Sequence, residues 1–408
     1  MSLLLKFLNL LPISFARRFV ASYATFPQGY QLQRKVLVDI SILAKNDANT
    51  GIQRVVKKLL EELIKHSQQD DNFVVVPIYA TRKRSYRHVV INEKKFFCTD
   101  QYVRASSGDI FLGLDWSAHI LSKNETTLFK WKKNGVRLLF VLYDGLPRTN
   151  PEWFTSKTVR KYKRWLNTIT IYGDKILCIS NFVKQEYFSW LENKKIKVNL
   201  MPELNIMSLG GDFHAPVSNL LRDEETEVLK RIGDTPFVLM IGTVEPRKGH
   251  KEVLDAFNVL WLNKKKINLV FAGQPGWGTQ DFQSYIQCNQ SQNPNFFWLS
   301  KIDDSFLNIL YEKSCGVVVA SKGEGFGLPI VEALYHKKMV LARDIPVFRE
   351  VGGTGVTYFN NDEPEALASA IWSFFNLKSN SSETFSRTWQ NAGANLVEII
   401  QADYLKKD

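Results

Sequence analysis

Two stretches of this 408-residue chain hold charged residues at spacings that could do chemistry. The first runs from 240 to 250, Met-Ile-Gly-Thr-Val-Glu-Pro-Arg-Lys-Gly-His, and places Arg247 and Lys248 just after an apolar run. Adjacent cations in a loop at a strand's carboxyl end sit where open α/β sheets bind ligands, and they can neutralise a diphosphate leaving group without a metal ion. A positively charged surface turn is the plainer reading of the same pair. The second runs from 317 to 332, Val-Val-Val-Ala-Ser-Lys-Gly-Glu-Gly-Phe-Gly-Leu-Pro-Ile-Val-Glu. It reads as a buried strand, a glycine-rich turn and a helix with Pro329 in its first turn, where a missing N–H costs nothing. Such a turn offers free backbone N–H groups and the positive end of the helix dipole to phosphates. Gly325 and Gly327 would let the backbone approach them closely. A bare phosphate loop gains nothing from acids, yet Glu324 lies inside this one and Glu332 follows eight positions on. Carboxylates accept hydrogen bonds from hydroxyls, so Glu324 suits a donor sugar and Glu332 the ribose of a nucleotide. Taken singly, Glu324 also reads as a solvated turn residue and Glu332 as an ordinary first-turn acid.

Elements able to position these residues recur along the chain. Short β-branched runs alternate with longer helical patterns, which predicts an α/β fold of doubly wound, Rossmann-like units with parallel sheets. In the first half the candidate strands are 36–40, 73–78, 109–112, 137–142 and 175–179. A helix over 53–66 carries Val55, Val56, Leu59, Leu60, Leu63 and Ile64 on one face. In the second half the strands are 237–241, 268–272, 296–299, 316–320 and 339–342, with helices at 251–262, 304–313, 329–337 and 364–375. The length suits two domains. The expected boundaries are an amphipathic extension at 1–33, an acceptor domain at 34–215, a donor domain at 216–376 and a C-terminal helix at 377–408 that could cross back to the first domain. Ligands would bind in a cleft at the carboxyl ends of the strands.

Charge is unevenly shared. Residues 1–200 carry 33 Lys and Arg against 16 Asp and Glu, a net +17, whereas 201–408 carry 20 against 25, a net −5. The basic half suits a polyanionic partner, an acidic membrane surface or nucleic acid. Runs such as Arg82, Lys83, Arg84, Tyr86, Arg87 and Arg160, Lys161, Tyr162, Lys163, Arg164, Trp165 could serve that partner or be solvated helix faces. No acid occurs before Asp39, and Leu3, Leu4, Leu5, Phe7, Leu8, Leu10 and Leu11 are broken by Lys6 and Asn9. The run is too short to span a bilayer and lacks a cleavage signal. It reads either as an amphipathic segment on the membrane, with Lys6, Arg17 and Arg18 near headgroups, or as an extra packed helix. Four scattered cysteines form no CxxC pair and read as reduced thiols in a cytoplasmic protein.

Together these motifs resemble retaining bacterial glycosyltransferases of the GT4 family, with the GT-B fold, and in particular the mannosyltransferase-like members of O-antigen, lipopolysaccharide and capsule pathways. The family's E-x7-E is matched by Glu324 and Glu332, and its G-T-x-E-P-R-K by 242–248. An N-terminal D-I-S…T-G-I-Q-R-V-V is matched by 39–41 and 50–56, and Y-D-x-x-P by Tyr143, Asp144 and Pro147. Tyr143 stands where many relatives carry histidine. The resemblance implies that Arg247 and Lys248 bind the donor diphosphate, Glu332 the ribose and Glu324 the transferred sugar. Backbone groups at Phe326, Gly327 and Leu328 would contact sugar or phosphate, and Gly51 would meet the donor from the first domain. It further implies a hexosyl transfer from a nucleotide diphosphate sugar, GDP-mannose favoured, to a lipid-linked or polysaccharide acceptor, with retention and with no metal or other cofactor. Location on the inner face of the cell membrane would follow. Asp144 would orient hydroxyls, or serve as a turn acid.

Four other readings share some of these features. A nucleotide-sugar epimerase needs acid/base histidines in the glycine loop, which holds none. A dinucleotide-dependent oxidoreductase needs G-x-G-x-x-G after its first strand, where 46–51 offers one glycine. Nucleic-acid binding would need a recognition motif, and none is seen. Metal-dependent transfer lacks a D-x-D.

Overall fold

The computed structural model describes residues 8, 10–24, 33–48, 50–93, 95–212, 221–276, 280–376 and 387–405. It divides into two compact units, Met1–Leu209 with Trp389–Asp408, and Gly210–Thr388. The expected boundary at 215/216, the start of the N-terminal extension with Lys6, and much of the 377–388 segment lie outside the described residues.

The second unit is built on a six-stranded parallel sheet ordered β11-β10-β9-β12-β13-β14. Its strands are β9 (Phe237–Ile241), β10 (Asn268–Ala272), β11 (Phe296–Leu299), β12 (Gly316–Val319), β13 (Met339–Arg343) and β14 (Thr357–Phe359). Counted from β9, this is the 3-2-1-4-5-6 order of a dinucleotide-type doubly wound sheet. The strands read as uninterrupted apolar runs because helices cover both faces of the sheet. β10 and β12 are buried at every position. Val238, Leu269, Phe271 and Val318 pack with Val253, Leu254 and Phe257 of the helix His250–Leu262 and with Ile371 of Pro364–Asn376. Each such fully buried side chain contributes about 1.5–3 kcal/mol.

The first unit carries an eight-stranded sheet, β4-β3-β2-β1-β5-β6-β7-β8. β1 (Arg34–Asp39), β2 (Phe73–Tyr79), β5 (Ile110–Gly113), β6 (Arg137–Leu142), β7 (Lys175–Cys178) and β8 (Glu203–Ile206) run parallel. β3 (Arg87–Asn92) and β4 (Lys95–Tyr102) extend one edge as an antiparallel hairpin. The expected strands are all present within one or two residues. The hairpin, β8 and β14 were not expected, since β4 alternates poorly and is mostly exposed and β14 has three residues. The helix Gly51–Ser67 starts two residues before the expected 53. Thr50 caps it, Oγ1 accepting from Gln53 N at 3.3 Å while the Gln53 amide oxygen accepts from Ala48 N at 2.8 Å.

Of the two readings of the N-terminal segment, headgroup contact and a packed helix, Arg17 follows the second: it is 8% exposed. In the helix Ile13–Ser22 its guanidinium turns inward and donates to the carbonyls of Leu200, Thr170 and Gly173, the last at 2.9 Å. Two of those carbonyls end the helix Ser156–Tyr172, whose negative dipole end attracts a cation. Of the basic runs, Tyr86, Tyr162, Trp165 and also Arg87 are buried, while Arg82, Lys83, Arg84, Arg160, Lys163 and Arg164 are exposed, so most of the cations face solvent and the aromatics belong to the core.

Candidate functional site

Strand order reverses between β9 and β12 in the second unit, and the loops leaving the carboxyl ends of these neighbours are those that carry Arg247, Lys248 and Glu324. The loops are joined directly. Lys322 N donates to Arg247 O at 2.8 Å. Gly249, at φ +77°, lies so close to β12 that a Cβ there would stand 2.5 Å from the Ala320 carbonyl oxygen. Only glycine takes both the left-handed backbone and the approach.

This closeness brings three of the expected residues into one cluster. Lys248 Nζ pairs with Glu324 Oε1, and Arg247 Nη1 lies 3.2 Å from Glu324 Oε2 and donates to Gly323 O at 3.0 Å. All three side chains are about 15% exposed, which leaves them reachable from solvent but poorly screened. Burial alone would push the Glu324 carboxyl upward, yet Lys248 and then Arg247 overcome it and hold it down to about 2. Glu324 is therefore a carboxylate at any physiological pH. Glu245, which the sequence reading did not single out, accepts from Arg247 Nε at 3.0 Å. It stands two residues away in the same motif, and an acid so near a functional arginine was the available signal.

Beyond Glu324 the chain passes Gly325 and Phe326, both buried, and reaches Gly327 at φ +113°. The helix Leu328–Tyr335 begins there with Pro329 in its first turn, and its N-cap Gly327 has no side chain to cap the first N–H groups. Glu332, in the second turn, is 3% exposed and its Oε2 accepts from the Tyr311 hydroxyl at 2.7 Å. Tyr311 lies 21 residues earlier, and nothing in the sequence pointed to it. Next to the cluster, His250 is fully buried against Phe271, and burial followed by the Lys248 charge lowers its imidazole to about 3. It is a neutral side chain.

The remaining expected residues, Gly51 and Asp144, belong to the first unit. Gly51 opens its helix and is exposed. Asp144 follows β6, and its Oδ1 accepts from Leu146 N at 3.0 Å, the turn-acid arrangement. The neighbouring Tyr143 is buried and donates to Leu114 O at 2.7 Å, so its phenol serves the core. The D-I-S motif shapes the loop before Gly51. Asp39, without solvent exposure, accepts from Ser41 N at 3.0 Å and from the hydroxyls of Ser41, Ser117 and Tyr86. Asp115, also missed by sequence, accepts from Ile42 N and Leu43 N at 2.7 and 2.8 Å. Burial raises Asp39 to about 7 and Asp115 to about 6. Among the described residues no group of three or more His, Cys, Asp or Glu could hold a metal ion.

Comparison with known proteins matches residues 222–392 to the family described as "Glycosyl transferases group 1". The chain is 35% identical over 362 residues to a serotype-specific mannosyltransferase WbdA of Escherichia coli, covering 87% of this chain and 44% of that protein. The chain thus spans less than half the length of that relative. It is 24% identical over 200 residues to the O-antigen chain mannosyltransferase RfbU of Salmonella typhimurium, covering 47% of this chain and 55% of that one. Among solved structures, Anabaena Alr3699/HepE in complex with UDP and glucose superposes with a TM-score of 0.60 at 14% identity, over 90% of this chain and all of the other. That likeness shows the fold.

Proposed function

Since the chain has the GT-B fold and residues 222–392 are a glycosyl transferases group 1 domain, we propose that the protein is a hexosyltransferase that moves mannose from a nucleotide diphosphate donor, GDP-mannose favoured, to a polysaccharide acceptor with retention of configuration. The observation that carries this reading is the meeting of Arg247, Lys248 and Glu324 beside an uncapped helix N-terminus at the point where strand order reverses. Arg247, Lys248 and the backbone N–H groups of Gly327 and Leu328, which precede the helical hydrogen-bonding pattern, would stabilise the departing nucleoside diphosphate. A leaving oxygen so stabilised can accept the proton of the acceptor hydroxyl, so no separate base and no metal is required. Glu324 would accept from a hydroxyl of the donor sugar, Glu332 from the ribose, and Asp144 would orient the acceptor.

The mannosyl donor and an O-antigen type of acceptor follow from the names of the relatives. A lipid-linked acceptor would bring the enzyme to a membrane surface. Leu10, Phe15 and Tyr23 on the N-terminal arm are 82%, 64% and 44% exposed, and Arg18 beside them is exposed, a composition suited to peripheral contact with anionic lipid. No helix among the described residues is long and apolar enough to cross a membrane. The test is transfer by the purified protein from a panel of nucleotide sugars, with GDP-mannose expected to be consumed and UDP-glucose not.

A further inference from the structure

Both cations assigned to the diphosphate pair with carboxylates of the chain itself. Lys248 pairs with one oxygen of Glu324, Arg247 with the other, and Arg247 also with Glu245. Two cations and two carboxylates make a locally neutral cluster, where a plain anion site would be left positive. A diphosphate must therefore displace Glu324 before it can take Arg247 and Lys248. The displaced carboxylate would stay close to the incoming phosphates and largely out of water, which is costly unless a donor replaces the lost cations. An intact nucleotide sugar brings such a donor, a sugar hydroxyl. The spent nucleoside diphosphate brings none, and its terminal phosphate carries an additional negative charge.

We propose that Glu324 distinguishes the intact nucleotide sugar from the spent nucleoside diphosphate, by returning to Arg247 and Lys248 whenever no sugar hydroxyl occupies it and so expelling the product. The inference rests on the assignment of Arg247 and Lys248 to the diphosphate given under Proposed function. It assigns the same carboxylate two successive partners, and the second partnership competes with the product for the same cations. The strength with which the two cations hold Glu324 ionised is consistent with a pair that reforms readily. A site that held diphosphates by charge alone would favour the product, because the product is the more negative ligand.

Titration calorimetry on the full chain tests this with GDP against GDP-mannose and UDP against UDP-glucose, for the natural protein, Glu324→Gln and Glu245→Gln. The natural protein is expected to bind the sugar nucleotide at least tenfold more tightly than its diphosphate. Glu324→Gln is expected to bind the diphosphate at least tenfold more tightly than the natural protein does, about 1.4 kcal/mol, and to lose the preference for the sugar nucleotide. Glu245→Gln loosens Arg247 without touching the sugar, so it should strengthen both ligands alike and keep their ratio. Equal or tighter binding of the diphosphate by the natural protein overturns the proposal, and that comparison needs no variant to fold. Unchanged or weaker diphosphate binding by a folded Glu324→Gln also overturns it, as does a ratio that moves equally in Glu245→Gln. Failure of the natural protein to bind any of the four ligands is a different result, and it removes the diphosphate assignment itself.

Discussion

Lys248→Gln probes the electrostatics of the site without filling or emptying much space. Glu324 stands at about 2 in the folded chain against 4.5 for an ordinary glutamate, a gap of about 2.5 units worth roughly 3 kcal/mol at about 1.36 kcal/mol per unit. Lys248 is the larger of the two attractive charges, so its removal forfeits about 2 kcal/mol. Because the folded value is depressed, this stability is fully present above about pH 4.5 and is lost as pH falls towards about 2. At pH 7 the thermal midpoint of the Gly210–Thr388 unit should fall by about 4–8 °C, using about 2–4 °C per kcal/mol for a unit of this size. The gap between variant and natural protein should shrink by roughly 40% at pH 3, where Glu324 is mostly protonated in the folded variant but still mostly ionised in the natural protein. Calorimetric melts of both proteins at pH 7, 5 and 3 read this directly. Equal midpoints at pH 7, or a gap that is the same at pH 3 as at pH 7, would refute the claim that Lys248 holds Glu324 ionised.

Gly249→Ala puts a Cβ 2.5 Å from the Ala320 oxygen and forces a left-handed backbone costing about 1–2 kcal/mol, so stability and transfer should both drop; a melt within 1 °C of the natural protein contradicts the close approach. Transfer should persist in excess EDTA, and loss rescued by manganese would place the donor on a metal instead. Leu10→Ser with Phe15→Ser should abolish flotation on anionic vesicles while leaving the melt unchanged, since both side chains face solvent; undiminished flotation would locate membrane contact elsewhere.

The strands that position the site were legible because burial on both faces leaves only apolar, β-branched residues in them, as in β9 and β12. The antiparallel hairpin was not, because Lys95, Asp100 and Gln101 sit on an exposed edge where burial imposes no alternation. Arg247, Lys248 and Glu324 could be read because each lies in a short loop beside glycines, where local spacing carries the signal. Their mutual pairing could not, since 76 residues separate the partners and only the adjacency of β9 and β12 brings them together. Tyr311 with Glu332 and Asp115 with Ile42 escaped for the same reason. The place of Arg17 stayed open in the sequence because an arginine beside apolar residues suits a membrane surface as well as it suits the carboxyl end of another helix.

The proposal that Arg247, Lys248 and Glu324 form the donor site of a mannosyltransferase is tested most directly by the rate of mannosyl transfer from GDP-mannose to a synthetic mannose-terminated acceptor by the natural protein, Arg247→Ala, Lys248→Ala and Glu324→Ala, each first verified as folded. Losing a contact to the diphosphate or the transition state costs about 2.7–4 kcal/mol, so each variant should be roughly 100 to 1000-fold slower, with product of the donor's own anomeric configuration from the natural protein. Transfer within threefold of the natural rate by any two folded variants, or no transfer from any nucleotide sugar by the natural protein, would contradict it.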